Sequence, residues 1–400
     1  LLDFADKDFL VDPYPALAEA RAVGKPFWHD ELGVFLAPRH ADANAVLRSK
    51  SLGRIFTPKT PETEWHDFNY LHSDSILDSE PPKHTRLKSL VSKAFNPRTI
   101  NALTPDIERI TQSLLDDCAA KLAANGEFDL LGDFAEPLPV KVIAHMLGFP
   151  DADEHLLRPW SQSIVKMYEV NPSEVHKAEA RAAATEFADY VHGLMELRKA
   201  RPGNDLISTL VAVEKDGERL SVEELIATCV LLLNAGHEAS VNGFGNGMVA
   251  ALRQPATMRP LRDDPRGVSR TALEEFLRFD SPLQLFERTA TTDTEINGVA
   301  IRAGQKIAAL LGAANRDVDV FTDADTLDLT RETNPHIAFG AGIHFCIGAP
   351  LARLEMAVSL PALIDRFPQL ELAGEPTRRP TFVLRGYDTI LVSEGRDLTR

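Results

Sequence analysis

The 400-residue chain reads as a mainly α protein with small β-sheets. Three observations predict this. Most of residues 84 to 280 repeats its apolar positions at helical spacing, one helix in that span is apolar on every side, and a short pair of alternating runs stands near the start. No Gly/Ser linker, low-complexity tract or internal repeat breaks the sequence, so residues 1–400 are expected to form a single domain, although the length could supply two or three.

Near the start, PFWHD and GVFLA flank a turn at Glu31 to Gly33 and predict a strand pair. The clearest helix begins at Ser221. There SVEE matches a capping box, in which the Ser221 hydroxyl caps a free amide and Glu224 reaches back to Ser221. This helix is expected to run to about Arg253, before Pro255, and its roughly 32 residues would span nearly 50 Å. Its middle, LIATCVLLLNAG, belongs in the interior. Gly236, Gly243, Gly245 and Gly247 each cost roughly 1 kcal/mol there against alanine. Close helix packing is the expectation for the last three, and close approach of a ligand for Gly236.

Composition excludes several function classes. Acidic residues outnumber basic ones 59 to 43, a net charge of -16, which disfavours a nucleic-acid partner. Cys118, Cys229 and Cys346 are sparse, odd in number and without paired spacing, so a disulfide framework is not expected and a reducing, cytoplasmic setting is. No stretch approaches the ~18 to 20 apolar residues of a membrane span, and the first residues carry charges where a signal peptide needs an apolar run.

The stretch FGAGIHFCIGAP, 339–350, sets Cys346 among glycines, a histidine and aromatic residues. A soft thiolate can bind zinc, an iron-sulfur cluster or haem iron, or act as a nucleophile. Zinc and clusters need further cysteines or histidines, and only His344 is close. A nucleophile leaves the glycine and aromatic residues unexplained. Haem accounts for them: Phe339 could lie against a flat macrocycle, Gly340 and Gly342 allow a turn close to it, and Gly348 leaves room beside it. The segment after Cys346, IGAPLARLEMAV, has helical spacing with Pro350 in its first turn, placing the thiol at a helix N-terminus that favours its anion. A plain buried cysteine is the alternative.

These residues resemble the cytochrome P-450 family, whose motif F-x-x-G-x-[HR]-x-C-x-G is matched by Phe339, Gly342, His344, Cys346 and Gly348. The resemblance runs from DPYPAL to FVLRGY. It implies the cytochrome P-450 fold in one domain, haem b (iron protoporphyrin IX) with Cys346 as axial ligand, and His344 beside a propionate. Gly340 and Ala352 are implied at the haem as well. The family's E-x-x-R is matched by Glu275 and Arg278 in ALEEFLRFDSP, and Arg331, in a stretch similar to the family's meander, would complete a buried network. Taken alone, Glu275 and Arg278 could be an ordinary helical ion pair. For the propionates, the family's H-x-x-x-R is met by His84 and by Lys88, which keeps the charge but lacks the planar fork; Arg288 matches a later position.

From Lys83 to Arg98 stand five basic residues, Lys83, Arg86, Lys88, Lys93 and Arg98, and no acidic one. A solvated helix face explains them, as does docking of a ferredoxin-type electron donor, itself served by an NAD(P)H-dependent reductase, which the resemblance implies. The long helix carries AGHEAS, similar to the family's A-G-x-[DE]-T. Ala235 and Gly236 would leave space for dioxygen, and Glu238 would help bring protons inward. Ala239 replaces the usual threonine and Ser240 follows, so a water held by Ser240, or a polar group of the substrate, must stand in for the missing hydroxyl. Ser240 could instead bond a preceding carbonyl of its own helix.

The resemblance thus implies a monooxygenase that inserts one atom of dioxygen into a small apolar organic substrate and reduces the other to water, assisted by thiolate donation. A peroxide-driven oxygenase of the same fold and a non-catalytic haem sensor are the alternatives. Pocket walls are expected from Ile55 to Ile76, Trp160 to Val170, the long helix, Leu283 to Phe286 and Phe382 to Leu384. Trp65, Phe68, Met167 and Phe286 serve either an apolar cavity or plain core.

Overall fold

The computed structural model of the protein describes residues 2–169, 172–214 and 217–395. Val170, at the end of one expected pocket wall, lies outside the described residues. Helices predominate and the strands are short. The backbone groups into two compact units, one of Leu1–Leu52, Pro105–Leu138 and Ala239–Arg400, the other of Gly53–Thr104 and Pro139–Glu238.

The first unit carries the main sheet, ordered Phe27–His29, Val34–Ala37, Lys306–Leu310, Leu285–Ala290, Leu52–Gly53. The first two strands pair antiparallel across the expected turn, where Gly33 takes φ +60, a conformation glycine adopts without strain. Val34–Ala37 then runs parallel to Lys306–Leu310, which pairs antiparallel with Leu285–Ala290 and sets Arg288 opposite Ile307. Side chains alternate between faces: Leu36, Ala308 and Leu310 pack with Phe9, Leu17 and Phe382, whereas Ala37, Ile307 and Ala309 pack with Val46, Leu47 and Ile337.

Polar ties hold the early and late segments of this unit together. Tyr14 Oη and Arg385 Nε each donate to Asp280 Oδ1 at 2.8 Å, and Arg378 Nη2 donates to Oδ2 at 3.1 Å. Arg385 also reaches the Leu10 and Val11 carbonyls at 2.6 and 2.7 Å. Burial alone would raise the Asp280 pKa, but Arg385 and Arg378 outweigh it and hold the carboxyl below its usual range.

The second unit is helical, with Glu62–Ser73, Lys83–Ala94, Glu154–Val165, Glu174–Ala200 and Leu206–Ala212 as its main elements. Trp160 stacks on Phe187 and Phe149 on Tyr190, each pair 5.2 Å between ring centroids, and the indole N–H of Trp160 finds Glu186 at 2.8 Å.

The long helix is continuous over Val222–Leu252, within a residue of expectation at each end. Its capping box is formed: the Glu224 amide donates to Ser221 Oγ at 3.1 Å, and the Ser221 amide to Glu224 Oε2 at 3.0 Å. An added Cβ at Gly243 would stand 2.7 Å from Leu277, at Gly245 2.8 Å from Leu131, and at Gly247 inside Phe276, so packing explains all three. A Cβ at Gly236 would overlap the end of the Ile143 side chain, so packing bears on this position as well. Among the described residues no helix is long and apolar enough to cross a membrane.

Removing Asp280 would leave buried Arg385 and half-buried Arg378 without their shared anion. Asp280→Ala is expected to lower unfolding free energy by about 3–5 kcal/mol in chemical denaturation.

Candidate functional site

The Cys346 loop is closed by its own backbone. The Cys346 amide donates to the Phe339 carbonyl at 3.0 Å, while Gly340 and Gly342 take φ +71 and +72 to turn the chain between them. At Gly342 glycine is obligatory: an added Cβ would meet the Leu47 carbonyl oxygen at 2.6 Å, and backbone cannot swing aside. Helix Ala349–Arg366 follows directly, with Gly348 as N-cap and Pro350 in its first turn, as expected.

Burial separates the three cysteines. Cys118 and Cys229 are buried, and burial is the main cause that pushes each thiol up to about 12. Cys346 is half-buried, flanked by the exposed apolar side chains of Ile343 and Phe345. A Cβ at Gly348 would sit 3.7 Å from Cys346 Sγ, so glycine keeps that flank of the sulfur open. His344 and Ala352 are half-buried in the same segment.

Behind the loop lie two adjacent carboxylates with different duties. Glu275 and Arg278 are fully buried and form a double hydrogen bond at 2.7 and 2.8 Å, with Arg331 Nε at 3.1 Å from Glu275 Oε2. The Asp328 amide and Asn334 Nδ2 also donate to Glu275, at 2.9 and 3.1 Å, so the expected Glu-Arg-Arg network is present and fully hydrogen-bonded. Glu274 was not singled out from the sequence. It receives Arg353 at 2.5 and 3.0 Å and His336 Nε2 at 2.7 Å, and the Arg353 guanidinium lies 4.6 Å from the centre of the Phe339 ring. Arg353 thereby braces the residue whose carbonyl holds the Cys346 amide. The position of Arg353 one turn and a half into the helix after Cys346 was the available signal.

On the long helix, Asn234, His237, Glu238 and Asn242 are buried, whereas Ala235 is exposed and Gly236, Ala239 and Ser240 are half-buried. Small residues at these offsets share one side of a helix and form an open stripe on an otherwise buried element. Glu238 Oε2 lies 3.7 Å from His237 Nδ1. Among the described residues no hydrogen bond runs from Ser240 back to its own helix, in contrast to Thr228, whose Oγ1 donates to the Glu224 carbonyl at 2.7 Å.

Of the four cationic or imidazole groups expected at propionates, His344 lies in the cysteine loop and the other three are placed as follows. His84 is buried and Lys88 half-buried on Lys83–Ala94 in the second unit. Arg288 is buried on its strand in the first, 4.4 Å from the Phe286 ring, with Nη1 donating to the Glu287 carbonyl at 3.0 Å.

A family model described as Cytochrome P450 matches residues 39–385. The chain belongs to the cytochrome P450 family. Nocardicin C N-oxygenase from Nocardia uniformis subsp. tsuyamanensis is 40% identical over 386 residues, covering 92% of both chains. Vitamin D(3) 25-hydroxylase from Pseudonocardia autotrophica is 37% identical over 401 residues, covering 98% of this chain and 96% of its own. Among solved structures, P450BioI in complex with acyl carrier protein ligated to hexadec-9Z-enoic acid superposes with TM-score 0.91 at 34% identity, over 97% of this chain and 99% of that one. The protein is a P450 monooxygenase of bacterial type, mainly α with small sheets, and membership implies a haem cofactor.

The residues of this P450 fit that group. Cys346 is the one half-buried thiol of the three and stands just before a helix N-terminus, where a thiolate suits haem iron. Exposed Ile343 and Phe345 supply apolar surface for a macrocycle beside Cys346, and in the same unit buried Arg288 suits its carboxylates.

Burial raises the Glu274 pKa, but hydrogen bonds from His336 and Arg353 outweigh it and lower the group from 4.5 to about 2. Its stabilisation is therefore complete above the unfolded pKa and lost as pH falls through the folded one. Wild type should exceed Glu274→Gln by about 1–2 kcal/mol near neutrality in urea denaturation, with the gap closing below about pH 4.5.

Proposed function

We propose that Cys346, as its thiolate, is the axial ligand of haem b, and that the P450 oxygenates small apolar organic substrates. The observation that carries this reading is the single half-buried thiol in a loop closed on Phe339. Phe339, Gly340, Gly348 and Ala352 would line the cysteine side of the haem, and Ala235, Gly236 and Ala239 the oxygen side. His84, Lys88, Arg288 and His344 would receive its propionates. When bound, the haem supplies two-electron activation of dioxygen, so that one oxygen atom enters the substrate and the other leaves as water.

The chain's own residues do the rest. The backbone bond from the Cys346 amide to Phe339 fixes where the sulfur points. Glu238, buried on the long helix, carries protons from outside to inside, and Ser240, whose hydroxyl is not spent on its helix, holds a water on the open stripe. Ala239 leaves the usual threonine hydroxyl missing, so good substrates carry a hydroxyl or carbonyl near the reacting carbon. Glu238 also favours dioxygen over peroxide as oxidant, since a peroxide-driven enzyme needs no such proton supply.

Electrons come from a ferredoxin-type donor with an NAD(P)H-dependent reductase, in the cytoplasm. Lys93 and Arg98 are the exposed members of the basic segment. Lys83 is tied to Asp74 and Arg86 to Glu224, so those two contribute little net field. Lys93 Nζ reaches the Glu214 carbonyl at 2.7 Å, which leaves its charge uncompensated.

The reduced holoprotein under carbon monoxide should show the red-displaced Soret band of thiolate coordination, and Cys346→Ala should lose it; retention by the variant would end the assignment. Charge reversal at both Lys93 and Arg98 should slow ferredoxin-driven reduction about tenfold at low salt and flatten its salt dependence, read by stopped-flow.

A further inference from the structure

Glu274, Arg353 and His336 form a cluster in the first unit that the proposed reaction does not use. Glu274, on Pro265–Phe279, takes two hydrogen bonds from Arg353, Nε to Oε1 at 2.5 Å and Nη2 to Oε2 at 3.0 Å. His336 Nε2 lies 2.7 Å from the same Oε2. The proton positions follow from the donors. The Ala338 amide, which can only donate, reaches His336 Nδ1 at 3.2 Å, so Nδ1 is a bare acceptor and Nε2 carries the ring's proton toward the carboxylate. His336 is thereby uncharged, Glu274 is an anion held by two side chains, and Arg353 is a permanent cation.

Two opposite charges this close nearly cancel at a distance, and a near neighbour feels the end it faces. The cysteine loop meets the cation. The Arg353 guanidinium lies 4.6 Å from the centre of the Phe339 ring, and the Phe339 carbonyl receives the Cys346 amide at 3.0 Å. Arg353 also stands on the helix that begins at Ala349, three residues after Cys346. Its bonds to Glu274 do most to raise the Arg353 pKa, and a negative Cys346 sulfur raises it further, so cation and sulfur act on each other directly. With 40% of the Arg353 side chain exposed, water screens the effect to a modest size.

We infer that Arg353 is a positioning residue that tunes the reduction potential of the P450, its guanidinium set against the Phe339 ring to offset the negative charge of the Cys346 sulfur, with Glu274 limiting how much of that cation the sulfur meets. The inference deepens the monooxygenase reading and rests on its assignment of Cys346 to the haem iron. One-electron reduction of the iron by the electron donor adds one negative charge to the site. A cation beside the sulfur therefore stabilises the reduced form more than the oxidised one and raises the potential, and an unpaired anion lowers it. A mechanical brace and a charge differ in sign. Loss of either partner loosens a brace in the same way, whereas removing the cation and removing the anion move a potential in opposite directions.

The test is the ferric/ferrous midpoint potential of the holoprotein, read by anaerobic spectroelectrochemical titration near neutral pH for wild type, Arg353→Gln, Arg353→Lys and Glu274→Gln, each checked for the carbon monoxide Soret band. Arg353→Gln should disfavour reduction about threefold, or roughly 30 mV at about 59 mV per tenfold for one electron. Glu274→Gln should favour it by a similar factor, and Arg353→Lys, which keeps the charge, should stay closer to wild type than Arg353→Gln. Shifts of the same sign in Arg353→Gln and Glu274→Gln, no shift in either, or loss of the Soret band in both Arg353 variants marks a purely structural brace and overturns the inference. Should the band be missing from wild type, the thiolate assignment itself falls and takes the inference with it; a normal wild-type band with unshifted variants ends the inference alone.

Discussion

A carboxylate with no exposed surface survives as an anion only when its lone pairs are met, and Glu275 meets this condition with four partners from two segments of the chain. Arg278 comes from its own helix, whereas Asp328, Arg331 and Asn334 come from a stretch with no regular secondary structure. That stretch leads straight into Phe339 and the cysteine loop. Without ladders of its own, it is held through side chains, and Arg278 adds bonds to the Asn315, Ala324 and Thr326 carbonyls at 3.0, 2.7 and 3.0 Å. The placing of the reactive sulfur therefore depends on a charge network that never touches it. Glu274 continues the same logic one residue earlier, through Arg353 and the Phe339 ring, to the carbonyl that receives the Cys346 amide.

The thiol itself shows why position outweighs residue type. Two cysteines sit deep in apolar surroundings and are kept protonated by burial, which makes them small core residues. The third stands in a loop whose two left-handed glycines and one intolerant backbone contact leave little conformational choice. Freedom removed from the loop in the folded state is not available to the sulfur either, so its direction is set before any ligand arrives.

Much of this was legible in the sequence, and the legible parts share a property: their partners are near in sequence or carried by a recognisable pattern. The Ser221 capping box spans three residues, the Phe27 and Val34 strands are joined by a short turn, and Glu275 and Arg278 lie one helical turn apart. Arg331 came from the family's pattern. By contrast, Glu274 meets Arg353 across 79 residues and His72 meets Tyr168 across 96, and no local periodicity encodes such meetings. Gly236 is legible only in part for a related reason. A glycine declares that space is short, but whether a ligand or an isoleucine occupies that space is decided by a distant helix.

Hydroxyl groups on the long helix sharpen the functional argument. In an apolar interior a serine or threonine ordinarily satisfies its proton on a carbonyl one turn earlier, as Thr228 does here and Ser281 does with the Leu277 carbonyl at 2.9 Å. Ser240 does not, and it lies on the part-exposed stripe rather than in the packed face. Six residues earlier Asn234 likewise keeps an oxygen unspent. The Asn234 oxygen is buried without a partner in the protein, which costs stability, whereas the half-buried Ser240 hydroxyl is open to water.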